Sequence, residues 1–154
     1  MNIAFFDFDG TITSKDSMID FIIYSAGYRK FLTGMIQLIP YILMYKLGVI
    51  ENWKAKEKVI KKFWGGWASS AFEETAAEYS QKKVALIIRE KAIEAINTHK
   101  QNGDKVVVVS ASCEKWLKPW CDSHNIELIG TIFEISNGTV TGRISGKNCY
   151  GAEK

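Results

Sequence analysis

Asp7-Phe8-Asp9-Gly10-Thr11 follows directly on the apolar run Ile3-Ala4-Phe5-Phe6, and its reading decides the fold. An apolar run ending in carboxylates on alternate residues predicts a buried strand over 3–8. Both acids then reach one side of its end, because extended backbone repeats every two residues. Gly10 permits a sharp turn there, and Thr11 brings a hydroxyl and an amide able to hold an oxyanion. Two carboxylates at one strand end repel unless a cation or a shared proton intervenes, which points to Mg2+ and a charged substrate. Taken alone, Asp-x-Asp-Gly is equally ordinary turn punctuation.

Working outward, the next stretch reads as helix after helix. Met18 to Tyr24 carries apolar residues on helical spacing, with Asp16 or Ser17 placed to cap its start and Gly27 to end it. Helices are predicted over 28–47 with a break at Pro40, over 51–63 before Gly65-Gly66, and from Ser69-Ser70 toward Val84. In the last, the serines precede Glu73 and Glu74 in the manner of a capping box. The pattern changes where a helix ending at Asn102-Gly103 gives way to Val106-Val107-Val108-Val109, the short apolar run expected of a strand buried in a parallel sheet. A helix from Cys113 to His124 and a strand over 126–129 continue a strand-helix-strand grammar. Asn137-Gly138, between alternating segments over 131–135 and 139–144, predicts a hairpin.

These elements predict an α/β fold, a Rossmann-like three-layer core with a parallel sheet, formed by residues 1–13 and 85–154. Residues 14–84 are inserted as a helical cap over the acids. Ligands of such sheets gather at the carboxyl ends of strands, where Asp7, Asp9 and Ser110 fall.

Composition bounds the partners. With 154 residues, 47% of them hydrophobic, the chain can bury one substantial core. Its 20 basic against 17 acidic residues leave +3, and the densest basic cluster, Lys54, Lys56, Lys58, Lys61 and Lys62, reads as an exposed helix face, so no nucleic-acid partner is expected. Cys113, Cys121 and Cys149 lack Cys-x-x-Cys spacing, and Met1-Asn2-Ile3 runs into a strand without a leader, so a cytoplasmic setting is expected. Cys113, Cys121 and His124 mimic a zinc set but read as packing. Residues 31–49 are mostly apolar yet interrupted by Gln37, Pro40 and Lys46. They read as buried or amphipathic helices bent at Pro40, with contact to a membrane surface or lipid substrate left open.

Asp7-Phe8-Asp9-Gly10-Thr11, the valine run closed by Ser110-Ala111-Ser112, and Gly151-Ala152-Glu153-Lys154 together resemble the haloacid dehalogenase superfamily. The helical insertion between the first two motifs resembles its phosphoserine phosphatase-like branch, subfamily IB. The resemblance implies a Mg2+-dependent phosphomonoester hydrolase acting on a small phosphorylated metabolite, phosphoserine or a more apolar ester. Asp7 would be the nucleophile that becomes an aspartyl-phosphate and Asp9 the general acid and base, with the Asp7 carboxylate and Asp9 carbonyl on the metal. It further implies phosphate or substrate contacts at Thr11, Asp16, Ser110 and Ala111, and a charge-neutralising lysine at Lys154, with Lys147 as the alternative. The family's fourth, acidic motif is expected beyond Lys154, so the chain is expected to be truncated at its C-terminal end. A second reading stays open: a phosphate-binding or interaction module lacking those metal-binding acids.

Overall fold

The valines of the second predicted strand sit at the centre of a single sheet. In this computed structural model, which describes residues 2–146, 148 and 149, four strands lie in the order β1 (Ile3–Asp7), β2 (Lys105–Cys113), β3 (Glu127–Ser136), β4 (Thr139–Ser145). The first three are parallel, with Phe6 opposite Val108 and Val108 opposite Leu128, and β4 returns antiparallel. The return is the predicted hairpin. Asn137 (φ 48°) and Gly138 (φ 72°) both take the left-handed conformation that a two-residue turn between twisted strands requires.

Helices α1 (Ser17–Ala26), α2 (Tyr28–Lys46), α3 (Asn52–Trp64) and α4 (Ser69–Tyr79) follow β1. A wide turn over Ser80–Val84 and the short α5 (Ala85–Ile87) lead to α6 (Glu90–Gln101), and α7 (Glu114–Ser123) joins β2 to β3. The parallel sheet with its crossover helices is the predicted α/β class. Ile96 of α6 and Trp116, Leu117 and Trp120 of α7 share one core with Val106 and Val108. On the other sheet face Val107 and Val109 pack with Cys149, while Ile3, Phe5 and Ile129 are exposed among the described residues. An aromatic cluster joins helices to sheet: the Phe21 ring lies 4.7 Å from Trp116 and 5.2 Å from Trp64, and Trp64 lies 5.9 Å from Phe133. Cys113 and Cys121 are buried in the same core.

Three local expectations are corrected. Helix α2 runs unbroken through Pro40, which stands on the exposed side, where water can meet the carbonyl left without its donor. No capping box starts α4. Ala68 is its N-cap and bridges Thr139, and the Ser69 N–H donates to the Gly138 carbonyl at 2.8 Å, so the hairpin backbone satisfies the helix end. The two strands predicted around Gly130 are one strand, β3. Its N–H donates to Glu114 Oε1 at 3.0 Å, and a Cβ there would lie 2.7 Å from Glu114 Cγ, so this glycine marks a close approach rather than a strand end.

Candidate active site

After β1 the chain turns at once. Asp9 (φ −72°, ψ 122°) and Gly10 (φ 78°, ψ −13°) hold the two corner conformations of a type II turn, the second of which favours glycine. Thr13 closes the loop: its N–H donates to the Phe8 carbonyl at 3.0 Å, and its hydroxyl oxygen accepts from the Gly10 N–H at 3.2 Å. This geometry brings Asp7 and Asp9 to the wall of one cavity of about 360 Å³.

Asp9 is firmly oriented. Its Oδ1 accepts the main-chain N–H of Ser17 at 2.7 Å and its Oδ2 accepts the Ser112 hydroxyl at 2.6 Å, with the Ser110 hydroxyl at 3.4 Å. Behind Ser112, the Ser17 hydroxyl donates to Ser112 Oγ at 3.0 Å, and Trp116 Nε1 donates to Ser17 Oγ at 3.2 Å. Ser17 opens α1, so its N–H is one of the orphan donors of a helix start, and Asp9 satisfies it. Asp7 Oδ1 accepts from the Phe8 N–H at 2.8 Å.

Lys56 of α3 enters the same cavity and is, among the described residues that line it, the one cation. Its ammonium donates to the Ala111 carbonyl, to Asn148 Oδ1 at 2.8 Å and to Thr131 Oγ1 at 3.2 Å. Burial pushes its pKa down to about 8, against the pull of nearby anionic groups, Asp9 and Asp16 among them. Asp16 caps α1 by accepting the Ile19 N–H at 2.9 Å. Desolvation at the cavity wall raises its pKa, the charge of Asp9 adds to this, and the Ile19 N–H opposes it. Asn52 and Ser112 are the uncharged polar residues of the lining, and Met18, Ile19, Ile22, Met35, Ile42, Ala55 and Val59 give it a largely apolar wall.

Of the residues expected from the sequence, Asp7, Asp9, Asp16 and Ala111 line the cavity together. Ser110 is fully buried beneath Asp9, and Thr11 stands exposed on the turn outside the lining. Lys154 and Lys147 lie outside the described residues. Sequence reasoning missed the role of Ser112 and misread Lys56 as part of an exposed face. That reading fits Lys54, Lys58, Lys61 and Lys62, which are exposed. Lys56, however, stands four and seven residues before Ile60 and Phe63, on the buried stripe of α3. That spacing was the available signal. None of the described residues that line the cavity is aromatic: Phe63 and Trp64 are core and Trp53 is exposed.

Among the described residues no group of three or more His, Cys, Asp or Glu side chains stands ready to hold a metal. The oxygen donors present still suit a hard cation. Mg2+ binds through one or two protein oxygens and fills its shell with water and substrate phosphate. Because both oxygens of the Asp9 side chain accept hydrogen bonds, the Asp7 carboxylate and the Asp9 main-chain carbonyl fit such a set better than two carboxylates.

Residues 4–154 match the haloacid dehalogenase-like hydrolase family. Protein CicA of Caulobacter vibrioides is 30% identical over 151 residues, covering 97% of this chain and 67% of CicA. A protein with unknown function from Bordetella pertussis Tohama I superposes with a TM-score of 0.76 at 20% identity, over 96% of this chain and 68% of that one. A phosphoserine phosphatase solved as a phospho-aspartyl intermediate analogue superposes at 0.63 with 19% identity, over 94% and 63% of the two chains. With the family matched over nearly its whole length, this chain belongs to the haloacid dehalogenase-like hydrolases.

Proposed function

We propose that this protein is a Mg2+-dependent phosphomonoesterase that works through an aspartyl-phosphate on Asp7, with residues 14–84 as its helical cap. The observation that carries the reading is the convergence of Asp7, an Asp9 fixed by Ser17 and Ser112, and the cation of Lys56 on one cavity. An Asp7 carboxylate oxygen attacks phosphorus as the bond to the leaving oxygen breaks, and Asp9 gives that oxygen its proton. Asp9 then takes a proton from water as the water attacks phosphorus, which frees inorganic phosphate and restores Asp7. Lys56 offsets the negative charge that gathers on the phosphoryl group. Mg2+, held by the Asp7 carboxylate and the Asp9 carbonyl, would supply further charge neutralisation when bound. The apolar wall over the acids supports an apolar leaving group, while Asp16 offers a partner to a cationic one.

Phosphate release from p-nitrophenyl phosphate with Mg2+ tests the activity. Asp7→Asn abolishes turnover without changing the far-UV circular dichroism, and beryllium fluoride shields the peptide containing Asp7 from modification. Substantial turnover by Asp7→Asn refutes the mechanism. Absent turnover in the unaltered protein, with inorganic phosphate still bound, assigns a phosphate-binding module instead.

A further inference from the structure

Helix α2 carries an apolar stripe that no described residue covers. Leu32, Ile36, Ile39 and Leu43, with Leu47 at the C-cap, recur every three or four residues, so they fall on one side of the helix, and Ile36 is 64% and Leu47 77% exposed. The inner side of the same helix is different. Gly34 and Leu38 are buried, and Met35 and Ile42 form part of the cavity wall opposite Asp7 and Asp9. One helix therefore separates the acids' cavity from an exposed apolar strip.

The charges around the strip select its occupant. Residues 21–50 contain no Asp or Glu, while Arg29, Lys30 and Lys46 stand at the two ends of α2. From α3, Lys58 lies 5.1 Å from the ring of Tyr41, and Lys62 donates to Gln37 Oε1, so further cations run along the flank. A second copy of the chain would meet these cations with its own. An anionic lipid surface meets them with opposite charge and accepts the apolar residues between. At 19 residues with these interruptions α2 lies along such a surface, and no helix among the described residues is long and apolar enough to cross a membrane.

We propose that α2 seats the protein on an anionic membrane surface and that the substrate is a lipid phosphomonoester, its phosphate at Asp7 and its apolar part along Met35, Ile42 and Val59. The substrate half rests on the phosphatase reading; the docking half does not. The full chain is sedimented with vesicles of phosphatidylcholine with and without phosphatidylglycerol. Phosphate release is followed from phosphatidic acid in those vesicles and from p-nitrophenyl phosphate in solution. Anionic vesicles bind at least about tenfold tighter, and Ile36→Glu or Leu43→Glu weakens binding and phosphatidic acid hydrolysis by about tenfold or more, since each puts an anion in the stripe. Both variants leave p-nitrophenyl phosphate turnover unchanged. If the soluble ester is hydrolysed but vesicles neither bind the protein nor supply substrate, the inference falls and the phosphatase reading stands. Vesicle binding without turnover of either ester keeps the docking and refutes the phosphatase reading, the lipid substrate with it. A dimer that Ile36→Glu converts to monomer assigns the stripe to a second copy and overturns the proposal.

Discussion

Replacing Lys56 with Met removes the cation from the cavity while keeping the length and most of the packing of its stem. The ammonium is held by the Ala111 carbonyl, Asn148 and Thr131, and all three contacts are lost with it. With its three N–H groups so engaged, Lys56 acts on the phosphoryl group through its charge, and loss of about 1.4–2.7 kcal/mol of that stabilisation lowers kcat/KM for a phosphomonoester at pH 7 about ten- to hundredfold in Lys56→Met. The pH profile separates charge from shape. Burial draws the Lys56 pKa down to about 8, so the cation is lost as pH rises toward 10, and the activity of the unaltered protein falls toward that of the variant. Lys56→Met lacks this alkaline limb. Stability moves the other way: between about 8 and the ordinary lysine value of 10.5 the unfolded chain binds the proton and the folded one does not, so the contribution of Lys56 to stability rises with pH. Initial rates from pH 6 to 10 for both proteins, with melting curves across the same range, provide the check. Parallel profiles for the two proteins, or equal kcat/KM at pH 7, would refute the assignment of Lys56 as the phosphate's counter-charge.

Three other outcomes are expected. Ser112→Ala deletes the 2.6 Å hydroxyl donor to Asp9 and lowers kcat about ten- to hundredfold with little change in KM, measured on p-nitrophenyl phosphate. Gly142→Ala places a Cβ about 2.7 Å from Lys61 Cα at a backbone φ of 91°, so strain and overlap with α3 add. The cost is about 2–5 kcal/mol, or roughly 5–15 °C in Tm by calorimetry. Chelation with EDTA removes phosphatase activity, and added Mg2+ restores it without refolding.

What was legible in the sequence follows one rule: a signal is readable when a short segment contains its own cause. The strand leading into Asp7, the valines of β2 and the Asn137-Gly138 turn each carry their periodicity or backbone demand within a few residues, and each appears in place, although β1 is an edge strand over 3–7 whose Ile3 and Phe5 are exposed rather than the buried strand expected over 3–8. Distant partners were not readable. The start of α4 is satisfied by the β3–β4 hairpin, and Gly130 is required by Glu114 from α7. The role of Ser112 was not readable because its partner, Asp9, is brought to it only by the parallel register of β1 on β2. Lys56 lies between these cases: its helical position was readable, but charge was allowed to outweigh phase.

The same network ties the start of α1 directly to the acids after β1. Ser17 gives Asp9 an N–H from the start of α1, while its hydroxyl stands between Trp116 of α7 and Ser112 of β2. Asp9 can be held in this way only when α1, β2 and α7 are assembled, since each contributes one member of the chain of donors. Helix α1 thus completes the orientation of Asp9, and the Phe21–Trp64–Trp116 cluster immediately behind it supplies the rigid packing that keeps α1 in register. A loosened α1 would leave Asp9 chemically intact but free to turn away from the cavity. Packing faults in α1 or α3, far from phosphorus, should therefore lower kcat before they unfold the sheet.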